Sequence, residues 1–172
     1  AGHGGLVLVE GEPGVGKTRL LAEVAADAHW RGMDVIWGRS SPSGGRPYAP
    51  MAEALMGGLS ELRARQLARR LEPAWREPLA HLVPALARQK DGPPAAPLRL
   101  ADEPARMREA IAQALLGLAD IAALLVVLED LHWADEDTIQ ALAHLAGRTD
   151  GHHIVIAVTY RHAEARERPE VW

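Results

Sequence analysis

The stretch Gly11-Glu12-Pro13-Gly14-Val15-Gly16-Lys17-Thr18 has the residue types and spacing of a phosphate-binding loop. Its glycines let backbone N–H groups curl around phosphate oxygens, and a helix starting just after the loop adds the positive end of its dipole. Lys17 would reach the β and γ oxygens of a nucleotide, and Thr18 would ligate Mg²⁺. The candidate cofactor-binding residues are therefore Gly11, Glu12, Pro13, Gly14, Val15, Gly16, Lys17, Thr18 and the adjoining Arg19. Arginine so outnumbers lysine that only Lys17 and Lys90 occur. A chain that otherwise uses Arg keeps Lys where a compact ammonium is needed and a planar guanidinium cannot replace it. The plain alternative, a glycine-rich turn that binds nothing, fits poorly with an apolar run before the octet and helical spacing after it.

A phosphate cradle of this kind needs an acid near the metal. The apolar run at residues 124–128 delivers Glu129 and Asp130 at its carboxyl end, where ligands sit in open parallel sheets. Glu129, first after the run, would hold the Mg²⁺ shell. Asp130 would face the attacking water as general base or water-orienting group. Two acids at a strand end are otherwise ordinary solvated charges, and the phosphate loop is what makes them a candidate site. Asp135 is explained by helix capping alone. His132 and Trp133 either shape the site or pack beneath the helix. The adjacent His152 and His153 would point to opposite faces of a strand, which argues for surface placement rather than a metal site. Arg63, Arg65, Arg69 and Arg70 read as a solvated helix face, with a partner surface as the alternative.

These residues need a scaffold, and the hydrophobic pattern supplies one. Residues 6–10 form a short apolar run. Leu20, Leu21, Val24, Ala25 and Ala28 then recur at helical spacing as far as Trp30, with Gly32 where a helix stop belongs. Val35-Ile36-Trp37 reads as a second strand, making the opening a βαβ-type unit. Residues 40–50 have loop composition, and a helical insertion is predicted at residues 51–88, interrupted by Pro73, Pro78 and Pro84. Residues 89–97 read as a flexible segment. Helical spacing returns through Met107, Ile111, Ala114, Leu115 and Leu118. The continuous run at 124–128 suits a parallel strand buried on both faces. Asp135 would cap a helix burying Ile139, Leu142, Ala143 and Ala146, and residues 154–158 form a last strand.

The composition sets limits on this reading. In 172 residues, 48% are hydrophobic and 24% charged, which indicates one globular domain rather than a coiled coil or a disordered chain. The absence of cysteine excludes disulfides, thiolate metal sites and a cysteine nucleophile, and fits a reducing, cytoplasmic setting. A net charge of -4 argues against direct DNA binding by this domain. No apolar run approaches the length of a membrane span. The chain begins with Ala1, which suggests an excised fragment.

The octet, Leu128-Glu129-Asp130-Leu131-His132-Trp133-Ala134-Asp135 and Val158-Thr159-Tyr160-Arg161 together resemble the ATPase domain of large LuxR-type transcriptional regulators. These regulators belong to the STAND class of AAA-like signalling ATPases. Gly38-Arg39 and Pro47-Tyr48-Ala49-Pro50 are similar as well. The resemblance implies an α/β, three-layer P-loop NTPase fold, AAA-like and mainly parallel with helices on both faces, ending before the lid domain. It implies ATP or ADP with Mg²⁺ as ligands, slow hydrolysis, self-association and contacts with other domains of a longer protein. It makes Arg161 a reader of the γ-phosphate, although Arg residues at strand ends are mostly solvated. The catalytic set it implies is Lys17, Glu129, Asp130 and Arg161, with Thr18 and Glu129 on the metal. Glu129 stands where the family often has Asp, which leaves open how Glu129 and Asp130 divide the work. A scaffold that holds ADP or ATP without turning it over is the rival reading. A P-loop kinase would need an Arg-bearing lid that this sequence does not offer.

Overall fold

The computed structural model describes residues 4–87 and 103–167. Four strands, β1 (Gly5–Glu10), β2 (Asp34–Arg39), β3 (Leu124–Glu129) and β4 (Ile154–Tyr160), form one sheet. Helix α1 (Lys17–Trp30) links β1 to β2. Then come α2 (Ala49–Gly58), α3 (Glu61–Arg70), α4 (Pro73–Leu82), α5 (Pro84–Ala87) and α6 (Glu103–Ala119). Helix α7 (Glu136–Ala146) joins β3 to β4, and α8 (His162–Arg166) follows β4.

The strand order is β1-β4-β3-β2 and every pairing is parallel. Glu10 lies opposite Tyr160, Leu128 opposite Val158, and Arg39 opposite Glu129. This register aligns the carboxyl ends of all four strands along one rim, where an open parallel sheet binds its ligands. The fold is that of an α/β P-loop NTPase.

Strand alternation divides the core between the two faces. Leu125 and Val127 of β3 face α1 and pack with Leu21, Ala28 and Ala157. Val126 and Leu128 face the other way, into a much larger core with Met51, Leu55, Ile111, Leu115 and Leu142. β3 is buried at all six positions, which accounts for its unbroken apolar sequence. β1 is at the sheet edge and leaves Leu6, Val7 and Leu8 exposed.

Several elements depart from the sequence expectations in ways that have physical causes. β2 and β4 are longer than predicted because both continue to the rim. Pro73 and Pro84 open helices, but Pro78 lies inside α4 without ending it. Proline takes away the N–H that would bond to the carbonyl four residues back. That carbonyl, on Ala74, instead accepts a hydrogen bond from Arg106 Nη2 at 2.9 Å. His152 and His153 precede β4 rather than lying on it, so alternation along a strand does not apply to them; His152 Nδ1 lies 2.9 Å from Asp120 Oδ1. Arg63 leaves its solvated group to pair with Asp34 at the start of β2. The segment 89–97, with Lys90, lies outside the described residues. Among the described residues, no helix is long and apolar enough to cross a membrane.

Candidate functional site

The octet forms the turn between β1 and α1. Gly14 and Gly16 have φ of 81° and 97°, a region that L side chains rarely adopt. α1 starts at Lys17 directly after Gly16, with no side chain capping it, so the N–H groups of its first turn face the loop. Lys17 Nζ arches back and donates to the carbonyls of Gly11 at 2.6 Å and Glu12 at 3.0 Å. A cleft of about 540 Å³ lies in front of this loop. Its walls include Pro13, Gly14, Gly16, Lys17, Thr18 and Arg19 from the loop side, with Arg39, Asp130 and Arg161 opposite. Gly11, Glu12 and Val15 do not line it.

Glu129 ends β3 with its side chain 1% exposed. Its Oε1 accepts a hydrogen bond from Thr18 Oγ1 at 2.5 Å. Its Oε2 accepts from Trp37 Nε1 at 2.9 Å and from Arg39 through Nε at 3.1 Å and also Nη2. Burial alone would raise the pKa of this carboxyl, but hydrogen bonds from Thr18, Arg39 and Trp37 outweigh it and hold the acid below its ordinary value. It is an ionised carboxylate at neutral pH.

Asp130 leaves the strand in the left-handed region, φ 56°, and begins the 3₁₀ turn Leu131–Trp133. Its backbone N–H donates to Thr159 Oγ1 on β4 at 2.9 Å. Asp130 lines the cleft, with its Oδ2 4.0 Å from Arg39 Nε. Adjacent acids thus acquire different surroundings, one buried against Thr18 and the other facing the open cleft.

Asp135 caps α7, and both of its oxygens are engaged by Thr138, one by the backbone N–H at 2.8 Å and the other by the hydroxyl at 2.6 Å. His132 is 1% exposed, and burial with the nearby Arg161 pushes its pKa down, so it packs as a neutral ring. Its ring centroid is 4.5 Å from that of Trp133. Trp133 in turn lies under the Arg161 guanidinium at 5.0 Å, a cation–π contact. Arg161 Nη1 also donates to Glu164 at 2.9 Å, so α8 and Trp133 together aim this arginine along the cleft.

The site suits Mg²⁺. Thr18 Oγ1 and Glu129 Oε1 are hard oxygen donors set side by side at the loop, and Mg²⁺ commonly takes one or two protein oxygens with phosphate and water completing its shell. Among the described residues, no group of three or more His, Cys, Asp or Glu is placed to hold a metal ion.

The sequence profile of the AAA ATPase domain matches residues 1–157. The chain belongs to that family. No curated protein matches it. Family membership brings nucleotide binding, and ATP hydrolysis with Mg²⁺ is the general activity of AAA ATPase domains. In this AAA ATPase domain, sequence reasoning gave Trp37 and Arg39 no part in the site, although both touch Glu129. The signal was available: residues two apart on a strand share a face, and a Trp and an Arg on one face at the rim provide donors for a neighbouring acid.

Proposed function

We propose that this AAA ATPase domain is a Mg²⁺-dependent, slowly hydrolysing ATP switch within a LuxR-type signalling or transcriptional regulator. The observation that carries this reading is the hydrogen bond from Thr18 to Glu129, which ties the phosphate loop to the acid strand while Asp130 and Arg161 face the same cleft. Thr18 and Glu129 would hold Mg²⁺, which when bound offsets charge on the β and γ phosphates. Lys17, now resting on its own loop's carbonyls, exchanges them for phosphate oxygens. Asp130, open to the cleft, orients water and takes its proton.

The expectation of slow turnover follows from where the arginines are. Arg39 is engaged by Glu129 and Arg161 by Glu164 and Trp133. An arginine finger supplied from elsewhere is worth roughly 10³ to 10⁵ in rate. The LuxR-type affiliation is supported by the segment at residues 128–135, and self-association and contacts with other domains go with it. The net charge of -4 supports nucleotide, not DNA, as this domain's own ligand.

The test is mass spectrometry of nucleotide carried by the purified protein, followed by single-turnover hydrolysis. ATP or ADP should be found, and turnover should fall well below about 10 per second, the ordinary enzyme median. Asp130→Asn should keep Mg·ATP and lose hydrolysis. Failure to bind either nucleotide overturns the proposal, and binding with no turnover at all supports the scaffold reading instead.

A further inference from the structure

Glu129 differs from a shorter acid in having one more rotatable bond. The torsion that turns its carboxylate is broad and nearly two-fold, so nothing intrinsic to the residue decides which oxygen faces the metal side. In the structure that choice is made by neighbours, and the donors are distributed unequally. Oε1 meets Thr18, while Oε2 receives Trp37 Nε1 and two nitrogens of Arg39.

Both donors come from β2, which pairs with β3 so that Arg39 stands opposite Glu129 and Trp37 opposite Val127. The two residues share a face of the sheet. Trp37 packs against the core under α1, which fixes the direction of its N–H. Arg39 is half exposed at the rim and lines the nucleotide cleft. An indole N–H and a guanidinium are donors only and cannot ligate a cation. Whatever they contribute to a metal site must therefore pass through the carboxylate.

We propose that Trp37 and Arg39 are positioning residues: together they clamp Oε2 of Glu129 so that Oε1 is presented beside Thr18 as the metal-side oxygen. The clamp lets the longer Glu serve at this strand end and assigns the metal side to Glu129, leaving Asp130 to the water. The inference rests on the Mg²⁺-nucleotide reading of the site and deepens it by naming what orients its acid.

The experiment is calorimetry of ATP binding with Mg²⁺ and with a chelator, read as the ratio of the two affinities. Partners that hold a metal ligand in place typically matter by 10- to 100-fold in metal affinity, so Arg39→Ala should cut the ratio by about tenfold. Trp37→Phe keeps an aromatic side chain but loses the indole N–H and its hydrogen bond, and should cut it roughly threefold. Arg39→Lys restores charge but only as a point donor, and should fall between Arg39→Ala and the unsubstituted protein. Each substitution is repeated in a Glu129→Gln background, where neither Arg39→Ala nor Trp37→Phe should lower the ratio further. A general loss of fold would lower both affinities and leave their ratio intact. An unchanged ratio in Trp37→Phe and Arg39→Ala with the affinity in chelator preserved, or an equal fall with and without Glu129, overturns the clamp alone. No gain from Mg²⁺ in the unsubstituted protein overturns the nucleotide reading and the clamp with it.

Discussion

Lys17 and Glu129 belong to adjoining parts of one site, the phosphate loop and the acid strand, in contrasting surroundings. Lys17 follows an edge strand whose Leu6, Val7 and Leu8 are exposed, and its ammonium rests on carbonyls of its own loop. Glu129 ends a strand buried at every position and is gripped by side chains from α1 and β2. The glycine loop can therefore reshape around an arriving phosphate at small cost to the fold. The acid is oriented in advance, and the cost of burying its charge is offset within the folded state. Substitutions on the loop side should accordingly damage binding and spare stability, while substitutions on the acid side should damage both.

The sharpest test of that difference is Lys17→Ala. Removing the ammonium should weaken ATP binding at least about 100-fold, equivalent to about 2.7 kcal/mol, because no other described lysine can replace the phosphate contact. Its melting temperature should stay within a few degrees of the unsubstituted protein. Unchanged affinity by calorimetry removes the phosphate-loop assignment. A large drop in melting temperature would show that the loop is as structural as the acid strand. Lys17→Arg should also bind poorly, since the fork does not fit a cradle shaped for an ammonium.

On the other side, Glu129→Ala leaves Thr18, Trp37 and Arg39 without their common acceptor. Stranded donors in a buried site cost about 2–3 kcal/mol together, after allowing for the exposure of Arg39. Chemical denaturation should show that loss in the midpoint, accompanied by loss of the Mg²⁺ dependence of nucleotide binding. A variant as stable as the unsubstituted protein would mean that the carboxylate network contributes nothing to the fold, and the contrast with Lys17 would disappear.

The same contrast explains what the sequence could and could not reveal. The loop octet, the helix after it and the Asp135 cap are legible because each is specified within a few residues. The buried run at 124–128 announces β3 and delivers both acids to the rim. Strand order is not local, so residues 6–10 read much like residues 124–128, yet one strand is at the edge and the other inside. The grip of Trp37 and Arg39 on Glu129 exists only because β2 pairs with β3, about 90 residues later in the chain. Pro78 stays within its helix because Arg106, on another helix, takes over the carbonyl it leaves without a partner. The sequence near Trp133 does not distinguish packing from a place in the site, because the Arg161 that lies over its ring follows another strand.

The smallest expected effect concerns acid, and it sharpens the contrast from the packed side. Glu109 on α6 lies 2.5 Å from Arg148 Nη1, and also meets Gln113 and, at 2.7 Å, His144 of α7. Burial alone would raise its pKa, but the hydrogen bonds from Arg148, Gln113 and His144 win and lower it from 4.5 to about 2. A carboxyl whose folded pKa lies below its unfolded value binds protons more readily when unfolded. Its stabilisation is therefore complete above pH 4.5 and is lost as pH falls from there towards 2. Because Arg148 and His144 are each more than a third exposed, solvent screening reduces the contribution to about 1–2 kcal/mol. Melts taken at decreasing pH should fall away below pH 4.5, and Glu109→Gln should flatten that fall without abolishing it. A remainder is expected because Glu129, shifted in the same direction, contributes with the same sign. An acid limb in Glu109→Gln as steep as that of the unsubstituted protein would remove Glu109 from the account. It would leave the acid sensitivity of the packed side to Glu129, buried at the end of β3.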